Sequence, residues 1–387
     1  MLLIISENFY DRRMPETKEL IRLKTLSLNH ESEAAADVIE AIKNTVLGNP
    51  DGIRYQLLDS LRKLKEIKPL QFFTLRKNSE LLYVMALVER ITSLKSRFYY
   101  TYNVRYVTFS QYYAAQTLTA GNNAGGIQKL GNSFIKEGMR KHAESYNFTL
   151  KDESADNDKK LYYAFVEESN LRSMNFTGFF FEPVRTFSVI TYSNIFPKVS
   201  DRVAKIGSGE VPHIRSLLDN FYKNHSFYFL DENDFRNNYY VVKVGNAILA
   251  GVKAGRANWK FLQLPGKAGK FLIKVLPWLP VFSRIIKPGR FSFLTFDTLY
   301  CPPGNEKYLL ELFESVCAIN KVYAAMVYLD KHDELYDRVM GLKNMGLLHR
   351  LFKNAFGKVL VRFVNFTDEE KMEFFINPAY LSGYDMT

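Results

Sequence analysis

The chain contains 387 residues, and at roughly 100–200 residues per domain this length predicts two or three domains. Hydrophobic residues account for 47% of the sequence and charged residues for 24%, values that exclude collagen, coiled coil and wholesale disorder. Aromatic residues are over-represented at 15%, and because such rings favour strands we expect a large sheet component.

Three features predict a reducing, cytoplasmic location. Cys301 and Cys317 are the two cysteines, and a single possible pair cannot build a disulfide framework, so we interpret both as small core residues. The first residues, Met1–Glu7, lack the basic start and the long apolar run of a signal peptide. No stretch reaches the ~18 apolar residues that a membrane-spanning helix needs.

The positive charge is concentrated in one segment. The net charge is +11, from 52 Lys and Arg against 41 Asp and Glu. The segment Lys243–Arg290 contains ten of the basic residues and no acidic residue, which leaves 42 basic and 41 acidic residues elsewhere. This distribution favours a local anionic partner, with a solvated basic face as the alternative.

Three kinds of anionic partner fit this segment. Trp259, Phe261 and Phe271 offer stacking faces for nucleic acid, although no recognisable nucleic-acid-binding motif accompanies them. The stretch 270–287 mixes apolar side chains with four cations, which is typical of a membrane interface, but its two prolines would interrupt a helix. An acidic small molecule or carrier protein is the third possibility.

The first half of the chain is predicted to begin with helices and to continue with strands. Apolar residues recur at helical spacing over 20–26, 35–46 and 57–64. Strands are predicted at 71–76 and 81–89, joined by a turn at Asn78-Ser79, and at 97–110, 161–167 and 184–192. Between them we expect a Gly/Asn-rich loop at 120–126, a helix with an apolar face over 130–143, a polar loop at 151–160, and a helix beginning at Asn170.

The second half repeats this order of elements. We predict a helix at 211–222, a hairpin of 239–244 and 247–255 around Gly245-Asn246, strands at 291–300, 322–329 and 358–366, and helices after Pro302-Pro303-Gly304-Asn305 and at 335–345. A linker is expected at 200–210. The repeated order predicts an internal duplication and an α/β (α+β) fold class with two like units.

The most informative motif is Gln128-Lys129-Leu130-Gly131-Asn132-Ser133, which is predicted to open a helix after a strand and a glycine-rich loop. The first turn of a helix has unpaired N–H groups and a partial positive charge. A glycine there lets a phosphate approach the backbone closely. The motif therefore predicts an anion cradle, with ordinary helix capping as the alternative.

This motif resembles the Gln/Arg-x-x-Gly-x-Gly/Ala signature of the Gcn5-related N-acetyltransferases (GNAT), with Ser133 at the last position. The resemblance implies that Gln128, Lys129, Leu130, Gly131, Asn132 and Ser133 bind the pyrophosphate of acetyl-coenzyme A. It also implies that Val107, Thr108, Phe109 and Ser110 on the preceding strand pair with the pantetheine arm, and that Asn170 begins the helix after the fifth strand.

The resemblance extends to the order of elements along the whole chain. It implies two acyl-CoA N-acyltransferase-like units, each a mixed, mainly antiparallel sheet flanked by helices. The N-terminal unit, 1–200, would carry the coenzyme A loop, and the C-terminal unit, 205–387, would be degenerate and carry the basic insertion. The turn before the corresponding helix of the second unit lacks the signature, and Glu306 and Glu311 place negative charge near it.

Glu89 and Glu168 are the candidate general bases. Each follows a predicted strand and is reachable in the family geometry, with a solvated surface carboxylate as the alternative for each. The tyrosine that the family often uses as general acid is absent, because the corresponding stretch reads Phe176-Thr177-Gly178-Phe179-Phe180. The histidines show no metal-binding spacing, so no metal is expected.

These features predict an acyl-CoA-dependent N-acyltransferase that transfers an acetyl group from acetyl-CoA to an amine. A non-catalytic protein, or a tandem protein resembling the aminoacyl- and peptidyl-transferases, is the alternative. In that case Lys243–Arg290 would bind an anionic partner such as a carrier protein, transfer RNA or a membrane.

Overall fold

The structure of the chain is a computed structural model. It describes residues 17–48, 52–67, 69–109, 124–145, 148, 150, 154–168, 170, 181–230, 235, 237–264, 266–275, 278, 282–284, 287, 289–351 and 355–386. None of the helices in these ranges is long and apolar enough to cross a membrane.

Strands dominate the described residues. In chain order they are β1 (Thr17–Leu23), β2 (Leu26–Glu31), β3 (Leu47–Gly48), β4 (Arg54–Leu57), β5 (Leu70–Lys77), β6 (Glu80–Leu94), β7 (Arg97–Phe109), β8 (Ala155–Glu167), β9 (Glu182–Ser193), β10 (Val203–Lys205), β11 (Tyr239–Val244), β12 (Ala247–Gln263), β13 (Phe291–Tyr300), β14 (Ala324–Asp330) and β15 (Phe356–Val364). The α-helices are α1 (Ala36–Lys43), α2 (Ser60–Glu66), α3 (Ala124–Ser145), α4 (Val211–Phe221), α5 (Gly266–Lys274), α6 (Lys307–Ile319), α7 (Glu334–Met340), α8 (Leu347–Leu351) and α9 (Asp368–Ile376).

The chain forms two compact units. The first unit comprises Met1–Ala41, Leu70–Leu87 and Tyr106–Ser145, and the second comprises Ile42–Pro69, Val88–Arg105 and Tyr146–Thr387. Strands β6 and β7 therefore contribute residues to each unit.

The first unit is a small antiparallel sheet covered by α3. Strand β2 pairs with β1 on one side and with β5 on the other. Helix α3 lies close to β2: a Cβ atom placed on Gly138 would meet Leu28 Cδ2 at 2.0 Å. The buried side chains of Ile135 and Met139 provide the apolar face that was predicted for this helix.

The turn between β5 and β6 agrees with the prediction. Asn78 and Ser79 both have positive φ, 48° and 71°, as a two-residue hairpin turn of type I′ requires. The predicted helix over 20–26 is wrong, because these residues end β1, turn at Lys24 with φ 52° and begin β2. Leu20 and Leu23 lie in β1, where the first is half-buried and the second exposed, so their spacing does not mark the buried face of a helix.

The second unit contains a long mixed sheet. The strand order is β7-β8-β15-β9-β14-β13-β12-β11-β10. Two neighbouring pairs, β7 with β8 and β13 with β14, are parallel, and the other pairs in this order are antiparallel. The mixed, mainly antiparallel sheet flanked by helices confirms the predicted fold class.

The two halves of the chain exchange their last strands in this sheet. β9, which ends the first half, pairs with β14 of the second half, and β15, which ends the second half, pairs with β8 of the first half. β9 and β15 also pair with each other. The two halves thus complete each other's sheet.

Several boundaries differ from the predictions. β8 begins at Ala155, inside the predicted polar loop, because Ala155 and Asp156 pair with Phe98 and Tyr99 of β7. α7 ends at Met340, earlier than predicted, and α9 was not predicted. The predicted helix beginning at Asn170 lies outside the described residues, apart from Asn170 itself.

Candidate functional site

In both parallel strand pairs the backbone pairing stops before the strands end, and we call this position the parting point. The pairing of β7 with β8 ends at Asn103 and Tyr163, and β7 continues to Phe109. The pairing of β13 with β14 covers Leu294–Phe296 only, and β13 continues to Tyr300. Beyond each parting point the two parallel neighbours no longer share backbone hydrogen bonds, so the strands diverge there.

A backbone irregularity follows each parting point. Tyr106 in β7 has φ 51° and Thr298 in β13 has φ 43°, an uncommon conformation for residues with side chains. Such a residue turns its neighbouring backbone groups away from the regular ladder, as a β-bulge does. Each of these strands is followed by a helix, α3 after β7 and α6 after β13. The combination of an irregular strand and a following helix therefore occurs twice.

Helix α3 begins one turn earlier than predicted. It starts at Ala124, so Gln128-Lys129-Leu130-Gly131-Asn132-Ser133 lie in its second and third turns. Amides at these positions have partners within the helix, whereas those of Ala124, Gly125 and Gly126 do not. The prediction that Gln128–Ser133 opens the helix is therefore wrong, and the unpaired amides belong to a segment with two glycines.

The predicted donor residues are only partly described. Val107 and Phe109 are half-buried near the end of β7, and Thr108 between them is buried. The Ser133 side chain is exposed, but the side chains of Gln128, Lys129, Leu130 and Asn132, and the whole of Ser110, lie outside the described residues. Half-buried Asn170 donates its backbone N–H to the Glu167 carbonyl at 2.9 Å.

The two predicted carboxylates have different surroundings. Glu89 is 1% exposed, and its Oε2 accepts the backbone N–H of Leu150 at 3.3 Å, so the alternative of a solvated carboxylate does not hold for it. Glu168 is exposed and lies 3.2 Å from Nζ of Lys358, as expected for a surface ion pair.

A buried charged cluster surrounds the parting of β7 and β8. Asp385, near the C-terminus, forms ion pairs with Arg90 and with Arg105, whose Nη1 lies 3.4 Å from Oδ1. Burial alone would raise the pKa of Asp385, but the two guanidinium groups outweigh it and lower that pKa below its ordinary value. Arg90 Nη1 also donates to the Tyr163 hydroxyl at 3.1 Å.

Two further polar residues are buried in this region. Burial, together with the nearby charge of Arg105, holds the pKa of Lys63 well below its ordinary value. Asn103, at the parting point, is buried, and its side chain lies beside the Tyr163 hydroxyl as a hydrogen-bond partner.

In the second parting, the chain's own C-terminal segment binds to the exposed strand edges. The Tyr380 and Ser382 hydroxyls each donate to the Asp297 carboxylate at 2.5 Å, and the Ala379 amide donates to Asp330 Oδ2 at 2.9 Å. Asp297 also lies 3.2 Å from Nζ of Lys253. Residues 379–382 therefore occupy the space between β13 and β14.

The turn before α6 carries its own anion. Glu306 Oε1 accepts the backbone N–H of Gly304 at 3.1 Å and lies 3.4 Å from Nη1 of Arg338. A carboxylate of the chain thus occupies the kind of position that a phosphate would take at this turn.

The sequence interpretation missed the largely buried Arg90 and the buried ions Arg105, Asp385, Lys253, Asp297, Arg185 and Asp330. Their partners are far apart in sequence, so no local motif reveals them. One available signal was a charged residue inside an otherwise apolar strand, as at Arg90 in β6 and Asp297 in β13. Among the described residues, no group of three His, Cys, Asp or Glu side chains has the arrangement of a metal site.

The fold is GNAT-like, that of the acyl-CoA N-acyltransferases: each half contributes a parallel strand pair that parts and is connected through a helix. No family model matches the sequence, and no curated protein matches it. The likeness is visible only at the level of structure.

Solved structures share this fold at low sequence identity. N-myristoyltransferase of Saccharomyces cerevisiae with bound myristoyl-CoA superposes with a TM-score of 0.51 and 10% identity, over 92% of this chain and 90% of that chain. A GCN5-related N-acetyltransferase from Anabaena variabilis gives a TM-score of 0.44 and 8% identity, over 87% of this chain and 73% of that chain. At these identities the likeness concerns the fold.

Proposed function

We propose that the chain is an acyl-CoA-dependent N-acyltransferase that transfers an acyl group, acetyl in the first instance, to an amine. The observation that carries this proposal is the start of α3, where a strand with an irregular backbone is followed by a helix whose first turn contains Gly125 and Gly126. Unpaired amides and the helix dipole favour a pyrophosphate there. A structure of the same fold holds myristoyl-CoA, which supports an acyl-CoA as the donor.

The donor contacts follow from this placement. The amides of Ala124, Gly125 and Gly126 bind the pyrophosphate, and the backbone of Val107–Phe109, continuing to Ser110, binds the pantetheine arm. Since the amides of residues 128–133 are bonded within the helix, these residues contribute through their side chains, except Gly131, which has none and leaves room for the ligand. Asn170, which follows β8, is a further contact to the donor.

Catalysis requires an acceptor amine that attacks the thioester carbonyl. The C–N bond forms, the C–S bond breaks, the amine proton passes to a base, and the coenzyme A thiol leaves. Of the two predicted bases, we favour Glu89 over Glu168 because a buried carboxylate can be positioned beside a substrate in a low-dielectric site.

The domain arrangement of the proposal is 1–200 for the donor-binding half and 205–387 for the second half. The parallel pairs β7 with β8 and β13 with β14, one in each half, support this division. In the second half, Glu306 lies at the turn that corresponds to the start of α3, and residues 379–382 lie at the parting point of β13 and β14. Each chain therefore has one donor site, in its first half. Buried free thiols at Cys301 and Cys317 support a reducing, cytoplasmic compartment.

Isothermal titration with acetyl-CoA and longer acyl-CoA thioesters tests this function. We expect binding by the wild-type chain and at least tenfold weaker binding by Gly126→Glu, because a carboxylate in the first turn repels the pyrophosphate and its side chain obstructs it. The matched variant Lys136→Glu, at an exposed position further along α3, should lose much less affinity. Absence of binding at millimolar ligand, or an equal loss for both variants, would contradict the proposal.

Turnover is measured separately, by release of free thiol from the acyl-CoA in the presence of a panel of amines. Binding without release for any amine would favour the non-catalytic alternative.

A further inference from the structure

Helix α5 has an inner face that packs against the sheet of the second unit. A Cβ atom placed on Gly269 would meet the Leu264 backbone at 2.5 Å, so the helix lies directly on the end of β12. Four residues later, Ile273 packs against a buried cluster that contains Trp259 and Phe261. Gly269 and Ile273 thus define the side of the helix that faces the protein.

The outer face of α5 and the turn after it expose apolar side chains. Phe271 and Val275 are exposed, and Trp278 is 84% exposed. Backbone hydrogen bonds from Val275 N to Phe271 O, 2.8 Å, and from Trp278 N to Val275 O, 3.1 Å, continue the helical path. These three residues and exposed Lys274 are therefore neighbours on one face, which we call the α5 outer face.

Exposed cations accompany this face. Lys260, Lys274, Arg284, Lys287 and Arg290 are exposed, and none has a carboxylate within ion-pair distance among the residues that the structure describes. Two other cations of the same segment are neutralised, Lys243 by Glu210 and Lys253 by Asp297. The positive charge that the sequence concentrates here is thus partly unbalanced at the surface.

A second exposed ring lies beside one of these cations. The Arg284 guanidinium lies 5.0 Å from the centre of the Phe196 ring, and Phe196 is itself exposed. Aromatic and basic side chains presented together at the surface are typical of segments that insert rings at the headgroup level while cations contact anionic lipids.

We propose that the α5 outer face, with its flanking cations, docks on an anionic lipid bilayer. The unbalanced positive charge complements a negatively charged leaflet. Phe271, Val275 and Trp278 gain from leaving water only if the partner offers an apolar layer. A nucleic acid would satisfy the cations and stack on the rings, but it offers no apolar layer for Val275.

Intrinsic fluorescence reports this docking directly. The chain has two tryptophans, and Trp259 is buried whereas Trp278 is exposed. Vesicles of equimolar phosphatidylglycerol and phosphatidylcholine should shift the emission of the full-length protein to the blue, and pure phosphatidylcholine vesicles should not. The shift should be absent in Trp278→Phe, because Trp259 stays in the same environment.

Co-sedimentation with the same vesicles gives the affinity. At about 1 kcal/mol per cation near an anionic surface, or about fivefold in binding, the double variant Lys274→Glu and Lys287→Glu should bind at least tenfold more weakly. Trp278→Ser should also bind more weakly. The matched control is Ile376→Ser in α9. It removes an apolar side chain that is 68% exposed from a helix whose first turn is acidic. The binding of this variant should equal that of wild type.

The proposal is wrong if wild type does not sediment with anionic vesicles, or if the control variant loses as much binding as the α5 variants. Binding to a single-stranded oligonucleotide without binding to vesicles would also overturn it, in favour of a nucleic-acid surface. Since all substitutions are at exposed positions, unchanged melting temperatures confirm that the variants remain folded.

Discussion

Replacing Asp385 by Asn tests the buried charged cluster. The Asp385 side chain has no exposed surface and contacts Arg90 and Arg105, both of which are largely buried. The substitution preserves shape but leaves two guanidinium groups without their counter-ion. Breaking a buried ion pair from one side costs about 3–5 kcal/mol of unfolding free energy, so we expect a loss of that size at pH 7.

The matched control is Asp368→Asn. The Asp368 side chain is 95% exposed and pairs with Lys371 at 3.0 Å, and such surface pairs contribute at most about 1 kcal/mol. Urea denaturation followed by circular dichroism gives both free energies. A loss for Asp385→Asn no larger than that for Asp368→Asn would refute the assignment of Asp385 to a buried ion pair.

The pH dependence of this loss has a definite sign. Because the pKa of Asp385 is lowered in the folded chain, its ionised form stabilises the fold above the ordinary aspartate pKa of about 3.9. This stabilisation is lost as the pH falls through the lowered value. The difference between wild type and Asp385→Asn should therefore be constant near neutrality and shrink below about pH 4. A difference independent of pH would contradict the ionic account.

Three further substitutions or modifications have definite expected results. Gly346→Ala places a Cβ 1.9 Å from the Ser193 carbonyl oxygen at φ +91°, so urea denaturation should show a loss of well over 2 kcal/mol of unfolding free energy. Gly304→Ala has a similar φ of +86° but lies in open space, so its loss should be about 1–2 kcal/mol. Glu89→Gln should lower kcat about a hundredfold and remove an acidic limb from the pH–rate profile, and Glu168→Gln should change neither. Burial raises the pKa of both cysteines, and that of Cys301 to about 12. Both should therefore resist alkylation at pH 8 until the chain is unfolded.

The sequence predicts those elements whose signals are local. Asn78-Ser79 and Gly245 supply the positive φ that tight hairpins need, and both hairpins were predicted. The apolar run 291–300 corresponds to β13 and was also predicted. For these segments, turn chemistry and burial pattern agree with the tertiary structure.

The elements that were missed depend on distant partners. The C-terminal segment is too short to show a periodicity, yet Tyr380 and Ser382 are held by Asp297, more than eighty positions earlier. The early start of α3 also has no local signal, because Gly125 and Gly126 are poor helix formers. Such residues are stabilised in place by tertiary contacts or by a ligand, and a single sequence shows neither.

Hydrogen–deuterium exchange with and without acyl-CoA tests the central claim most directly, because it reports the backbone amides that the proposal assigns to the pyrophosphate. With saturating ligand we predict slower exchange at Ala124–Gly126 and along Val107–Phe109. If the ligand binds but leaves exchange at the start of α3 unchanged, the proposed donor site is wrong.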